Sequence, residues 1–269
     1  MELALGLMVG LLSAAPGVAE VKSESSPGLF DGPVAVGFFD ADFATGRRAR
    51  PRTEIGLGVL GGATIDTPDF YGAISGGALL YGSYAVPSQP MEVFASLEVV
   101  KFQYVQNASL KGTSTSLGQG SLGATYVLLH SGGVVVAPSM RLMLPTDTSM
   151  PDVRTVGLEV GGAASWQVVG PLELHGYLGG DLSAGLSAGA TLARPGLLVT
   201  GGVLWSPASW FGAAIDLNAH VGEQRYLAPA LGLRAAIGKS FGIELAGTLP
   251  LLATIRNNAA VGLRLAYRI

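Results

Sequence analysis

Along most of the chain, side chains alternate in character at every second residue. Between Leu172 and Ser183, the residues Glu173, His175, Tyr177, Gly179, Asp181 and Ser183 fall on one side, and Leu172, Leu174, Gly176, Leu178, Gly180 and Leu182 on the other. A repeat of two is the strand period, because successive side chains of an extended chain point to opposite faces. The last segment repeats it, with Val261, Leu263, Leu265, Tyr267 and Ile269 set against Gly262, Arg264, Ala266 and Arg268. Glu159, Gly161, Ala163 and Ser165 make a third polar face, and Asp216, Asn218 and His220 a fourth. The texture begins at Thr53 and predicts twelve strands, over 53–62, 71–85, 91–105, 115–129, 133–144, 154–168, 171–184, 195–205, 210–220, 227–237, 240–249 and 259–269. No helix of useful length fits between them, so the class is all-β.

The connections between these segments are unequal. Five are tight, at 86–90, 130–133, 168–171, 207–209 and 238–240. The others, at 63–70, 106–114, 145–153, 185–194, 221–226 and 250–258, are longer, and the two kinds alternate. Short turns at one end and longer loops at the other are the asymmetry of an outer-membrane barrel. An even strand count also returns the C-terminus to the side where the first strand starts. The expectation is a closed antiparallel transmembrane β-barrel of about 12 strands, with short periplasmic turns and longer outer loops.

Alternation alone leaves a soluble barrel or sandwich open, since that fold also has one apolar face. Composition and strand length favour lipid outside. Charged residues are 13 % of the 269 and hydrophobic residues 49 %. The polar faces carry Gly, Ala and Ser with isolated charges, not the dense Lys and Glu of a wetted surface. The strands exceed the ~5–6 residues usual in sandwiches and supply the ~9–11 that a tilted crossing needs. In hydrocarbon every backbone N–H and C=O has to be paired within the protein, which only helices and closed barrels achieve. Aromatics flank the tight turns, namely Tyr84, Phe94, Trp166, Trp205, Trp210 and Phe241, and suggest an interfacial girdle. The 40 glycines suit tight wall curvature, and small inward residues leave room in a lumen. The absence of Cys excludes a disulfide scaffold and a thiolate metal site. A net charge of -3 without a long basic block argues against nucleic acid as a partner.

The chain opens with an apolar run from Leu3 to Leu12, then small residues up to Glu20, with Gly17 and Ala19 at the small-residue positions of a cleavage site. Residues 1–19 read as a signal peptide, with a short buried helix as the other reading. Residues 20–52 form a lead, periplasmic or partly plugging the lumen, and residues 53–269 the barrel. The lead ends in the basic cluster Arg47, Arg48, Arg50 and Arg52. Contact with phosphate headgroups, docking to a partner and folding into the lumen all stand open for it, beside a solvated linker.

The end of the chain, NAAVGLRLAYRI, resembles the C-terminal insertion signal of bacterial outer-membrane barrels, with Ile269, Tyr267, Leu265, Leu263 and Val261 as its alternating hydrophobics. The usual terminal Phe is replaced by Ile269. The stretches TEIGLGVLGG from Thr53, QGSLGATYVLL from Gln119 and APSMRLMLPTDT from Ala137 resemble segments of the transporter-like barrels associated with the meta-pathway of phenol degradation. That resemblance covers residues 53–148 and the C-terminus. It implies a pore-like protein of a Gram-negative outer membrane, serving small hydrophobic compounds. Its partners would be the barrel assembly machinery, outer-membrane lipid, lipopolysaccharide and small solutes.

The alternation projects Glu54, Glu98, Arg141, Glu159, Glu173, His175, Asp181, Asp216, Asn218, Arg234, Glu244 and Arg264 toward one side. With lipid outside, that side is the lumen, since a charge facing lipid costs about 2–4 kcal/mol near mid-depth. The acids outnumber the arginines, which suggests a polar lining with a mild cation bias. The competing expectation is a packed network of ion pairs and hydrogen bonds that stiffens the wall. No catalytic, cofactor or metal site is expected. His175, Asp216 and Ser165 or Ser183 supply the residue types of a triad, but the sequence does not fix the necessary geometry. His130, His175 and His220 lack metal-ligand spacing. Asp147 and Asp152 offer a divalent-cation contact with lipopolysaccharide, or simply hydrate their loop. Asn107-Ala108-Ser109 matches a glycosylation acceptor and is set aside for a bacterial barrel. The expected function is a non-enzymatic channel or transporter-like barrel for small solutes, hydrophobic ones among them. A structural or partner-binding barrel without solute flux is the alternative.

Overall fold

The computed structural model describes residues 49–66, 71–106, 111–148, 154–187, 190–222, 225–249, 251–253 and 259–269. The proposed signal peptide, the lead up to residue 48, Asp152 and Asn107-Ala108-Ser109 lie outside them. The described elements are all strands: β1 (Glu54–Asp66), β2 (Tyr71–Ala85), β3 (Met91–Gln106), β4 (Lys111–Ser116), β5 (Gly120–Tyr126), β6 (Leu129–Ser131), β7 (Val134–Leu144), β8 (Arg154–Val169), β9 (Leu172–Ser187), β10 (Ala190–Ala208), β11 (Phe211–Gly222), β12 (Tyr226–Ile237), β13 (Phe241–Thr248), β14 (Leu252–Ala253) and β15 (Ala259–Arg268). Each pairs antiparallel with its neighbours. β4, β5 and β6 follow one another along a single stave, and β14 continues β13 along β12. β1 pairs β15 and β11 pairs β12, so the described strands close into a ring of 12 staves. Closure pairs the backbone all round, which is the condition for crossing hydrocarbon.

Several ladders run further outward than the sequence expectation. β1 continues to Asp66, and the β9–β10 ladder extends to Ser187↔Ala190, across a stretch expected as the loop 185–194. Gly185, Ser187 and Pro195 carry turn-like chemistry, but two strands leaving the membrane side by side keep satisfying each other's backbone groups. The expected strand 115–129 is interrupted at Leu117–Gln119 and again at Val127–Leu128. At the opposite end the turns are as tight as expected. Gly132 and Gly133 both take positive φ, at 59° and 80°, the pairing that a two-residue hairpin of matching twist requires.

Burial separates the two faces. Outward residues such as Ile215, Leu217, Leu231, Leu233, Leu178 and Val261 are exposed and apolar. So large an apolar surface is unsuited to water and suited to lipid. Tyr84, Trp166, Trp205, Trp210 and Phe241 are exposed near the short-turn end, where a girdle is expected. Phe94 is a correction: it is 4 % exposed and faces inward. It shares parity with Glu92, Ser96 and Glu98, and its ring covers Gly123, where a Cβ would overlap it.

Candidate functional site

The interior is built of side-chain groups that reach across neighbouring strands. On β1, β12, β13 and β15, Arg264 stands between two acids. Its Nη2 is 3.2 Å from Glu54 Oε1 and its Nη1 is 3.7 Å from Glu244 Oε2. Arg234 Nη2 lies 3.4 Å from the other oxygen of Glu244. Cross-strand register sets this up, because Glu244 is directly opposite both Arg234 and Arg264. The Tyr81 ring lies 5.2 Å from the Arg264 guanidinium carbon, within cation–π range. Tyr81 fits there because Gly56 leaves its space open: a Cβ at Gly56 would collide with the phenol and with the Leu265 carbonyl.

A second group links Arg141 on β7 to Glu159 on β8, which also accepts a 2.6 Å hydrogen bond from the Tyr177 hydroxyl on β9. Tyr177 lies over Gly161 and Gly179, both of which would clash with it as alanines. A third group crosses β10. His175 Nε2 on β9 is 2.6 Å from Asp216 Oδ1 on β11, over Gly202. His220 Nε2 on β11 is 3.0 Å from Asp181 Oδ1 on β9, over Gly196. Between the two pairs, the Thr200 hydroxyl donates to Asn218 Oδ1 at 3.0 Å. We predict that Gly202→Ala breaks the His175–Asp216 contact, since its Cβ would overlap the carboxylate and press on the Ile215 carbonyl. The expected cost is about 1–3 kcal/mol, that of uncoupling a buried polar group, read as a lowered urea midpoint of the refolded barrel.

The structure places all twelve sequence-predicted residues on the inward side of the wall. Glu98 and Asp181 are half-buried and the other ten are buried. Two groups escaped the sequence reading. Glu92 is inward and 1 % exposed, and its Oε2 accepts the Arg52 N–H at 2.6 Å. Parity with Glu98 would have found it. The other is the segment before β1. Ala49 is 2 % exposed and packs with Val127, Val135, Ala137, Ala163, Tyr177 and Leu198. Arg50 Nη2 lies 3.8 Å from Glu173 Oε2, and the Ser83 hydroxyl donates to the Arg52 carbonyl at 2.9 Å. The end of the basic cluster therefore enters the barrel and is not a solvated linker. No sequence pattern separates these readings, because the arginines suit either.

Ser165 is directly opposite His175 in the ladder. No hydrogen bond joins Ser165 Oγ to the imidazole, and both Ser165 Oγ and His175 Nδ1 are buried without a partner. The stretch Gly185-Leu186-Ser187-Ala188-Gly189 has the lettering of a nucleophile elbow, but Ser187 ends a strand and does not stand on a strand-to-helix turn. Among the described residues no cluster of His, Asp and Glu has the makings of a metal site.

Solved structures with this architecture are outer-membrane barrels. An outer membrane channel from Pseudomonas putida F1 matches with a TM-score of 0.62 at 13 % identity, over 91 % of this chain and 100 % of that one. The fold is that of an outer-membrane β-barrel. The transport unit of the autotransporter AIDA-I from Escherichia coli matches with a TM-score of 0.57 at 11 % identity, over 87 % and 94 %. The KdgM porin, solved with oligogalacturonate, matches with a TM-score of 0.52 at 11 % identity, over 80 % and 99 %. No family model matches the chain, and no curated protein matches it by sequence. The closed wall and its lipid-facing belt put the protein in the outer membrane.

Proposed function

We propose that this barrel is a channel for small solutes, hydrophobic ones among them, and that residues 20–52 act as a partial plug of its lumen. The observation that carries the reading is the entry of Ala49–Arg52 into the barrel. Ala49 joins the interior apolar cluster, the Arg50 guanidinium pairs with Glu173, and the Arg52 backbone N–H donates to Glu92. A chain clasped inside the mouth at Ala49–Arg52 supports a lead that controls passage. Partition of the interior into an apolar cluster and separate ion-paired groups suits a solute with an apolar body. The loose resemblance to barrels of phenol degradation supports the same cargo class. No catalytic step is part of this reading. Assembly machinery, lipopolysaccharide and outer-membrane lipid are the partners it requires.

The twelve inward residues serve in this reading as lining. Their charges are more balanced than the sequence count suggested, because Arg50 pairs with Glu173 and the buried Arg52 side chain adds a second cation at the mouth. Ion selectivity is therefore expected to be weak and cation-leaning. Replacing Arg50 and Arg52 with alanine increases the cation preference, read as reversal potential across a KCl gradient. A shift toward anions contradicts the charge assignment. The extent of interior pairing also favours a second reading, a structural barrel without flux. Swelling of proteoliposomes in glycine separates the two. Deletion of residues 20–48, which keeps the Arg50 and Arg52 contacts, is expected to speed swelling over the full mature chain. Impermeability of both proteins supports the structural reading.

A further inference from the structure

One row of inward residues, toward the short-turn end, leaves two complementary groups unjoined. Val135 on β7 is opposite Ser165 on β8, Ser165 is opposite His175 on β9, and His175 and Asp216 face each other across Gly202 on β10. With no side chain at Gly202, the imidazole reaches over β10 and its Nε2 lies 2.6 Å from Asp216 Oδ1. An ionised carboxylate only accepts, so Nε2 carries the proton and Nδ1 of the neutral ring keeps a lone pair. Ser165 Oγ, on the directly opposite residue, has a proton to give. The two do not bond each other, and each is buried without a partner among the described residues. Ser165 is 2 % exposed and His175 7 %. Elsewhere in this interior such groups meet: Ser96 and Ser121, also directly opposite, share a 2.8 Å hydrogen bond. An acceptor and a hydroxyl left open together in a buried place are costly, unless something else fills them.

The neighbours of this pair are apolar on one side. Val135 across from Ser165, and Ala163 two residues before it, belong to the interior cluster in which Ala49 of the lead is seated with Tyr177 and Leu198. A molecule that took the place of Ala49 would find an apolar seat with one acceptor and one donor at its edge. Its complement is an apolar body with a single hydroxyl, whose O–H donates to His175 Nδ1 while its oxygen accepts from Ser165 Oγ. A ketone has no proton for Nδ1, and a carboxylate is repelled by Asp216 and Glu173 on the same inward face. We propose that Ser165 and His175 form a hydroxyl-binding site in the lumen, which favours small apolar alcohols among the solutes and which Ala49 covers in their absence. Entry of the alcohol from solution rests on the channel reading above.

The chain has three histidines, so nitrogen NMR of the refolded chain from residue 20, labelled at histidine in micelles, resolves each ring. His130→Gln and His220→Gln assign them. The probes are cyclohexanol, cyclohexanone, which cannot donate, and methylcyclohexane, which has no polar atom. Cyclohexanol is expected to move the His175 Nδ1 resonance saturably. Both analogues are expected to bind at least about tenfold more weakly, a factor equal to ~1.4 kcal/mol of lost hydrogen bonding. Ser165→Ala weakens cyclohexanol by a similar factor and leaves methylcyclohexane unchanged. Ala49→Gly removes the competing methyl and tightens cyclohexanol about fourfold, the value of one buried carbon. Equal affinities for cyclohexanol and methylcyclohexane overturn the site, and so does a proton already on His175 Nδ1 in the free protein. Weaker binding in Ala49→Gly makes Ala49 a part of the seat and overturns its displacement. Planar-bilayer conductance keeps the site apart from the channel reading. Hydroxyl-dependent binding without conductance removes the channel and leaves the site standing, whereas conductance without hydroxyl-dependent binding overturns the site alone.

Discussion

Replacing Arg264 with methionine is expected to destabilise the barrel by about 3–5 kcal/mol, the cost of removing one partner from a buried ion pair. Glu54 is 1 % exposed and Glu244 is 5 % exposed, and both face this guanidinium. Arg234 still reaches Glu244 after the substitution, so the loss falls mainly on Glu54. The Tyr81 ring loses its cation as well. Glu54→Gln in the Arg264→Met background recovers much of the loss, because a neutral amide tolerates the site better than an uncompensated carboxylate. Urea titration in lipid vesicles, followed by fluorescence of Trp166, Trp205 and Trp210, measures both variants. An unchanged midpoint for Arg264→Met means that water already solvates Glu54, and the interior is then wetter than the packing indicates.

Leu178→Arg is expected to cost about 2–4 kcal/mol, while the same change at Leu186 costs only ~0–1 kcal/mol. Both side chains are exposed on the outward face of β9. Leu178 lies in the middle of that strand and Leu186 next to its outer end. Charge on the lipid side is penalised by depth, so the two positions differ although both face outward from the same strand. Heat-modifiable gel mobility and urea midpoints report the difference. Equal tolerance at the two positions contradicts a lipid-facing belt and favours a soluble sheet.

The staves were legible because one face of each had to be apolar and the other not, and a period of two leaves few ways to place the boundary. The same parity placed the twelve inward residues, and applied strictly it also places Phe94 and Glu92 inside. Flanking a turn made Phe94 look like a girdle residue, but strand parity governs which way a side chain points. Register was not legible. The contacts of His175 with Asp216 and of His220 with Asp181 depend on Gly202 and Gly196, which stand between them on β10. Nothing local in the sequence couples residues two strands apart. The break at Leu117–Gln119 was hidden because Ser116, Leu117 and Gly118 keep an acceptable strand pattern. The entry of Ala49–Arg52 was hidden because a short arginine-rich segment reads equally well as solvated chain.

Single-channel recording of the refolded chain from residue 20 in planar bilayers, beside the variant that also lacks residues 20–48, tests the central claim most directly. A channel partly closed by its own lead gives small or infrequent conductance steps with the full chain and larger, longer-lived steps without the lead. The absence of steps from both proteins, with folding verified by heat-modifiable mobility, contradicts a channel and leaves a structural barrel.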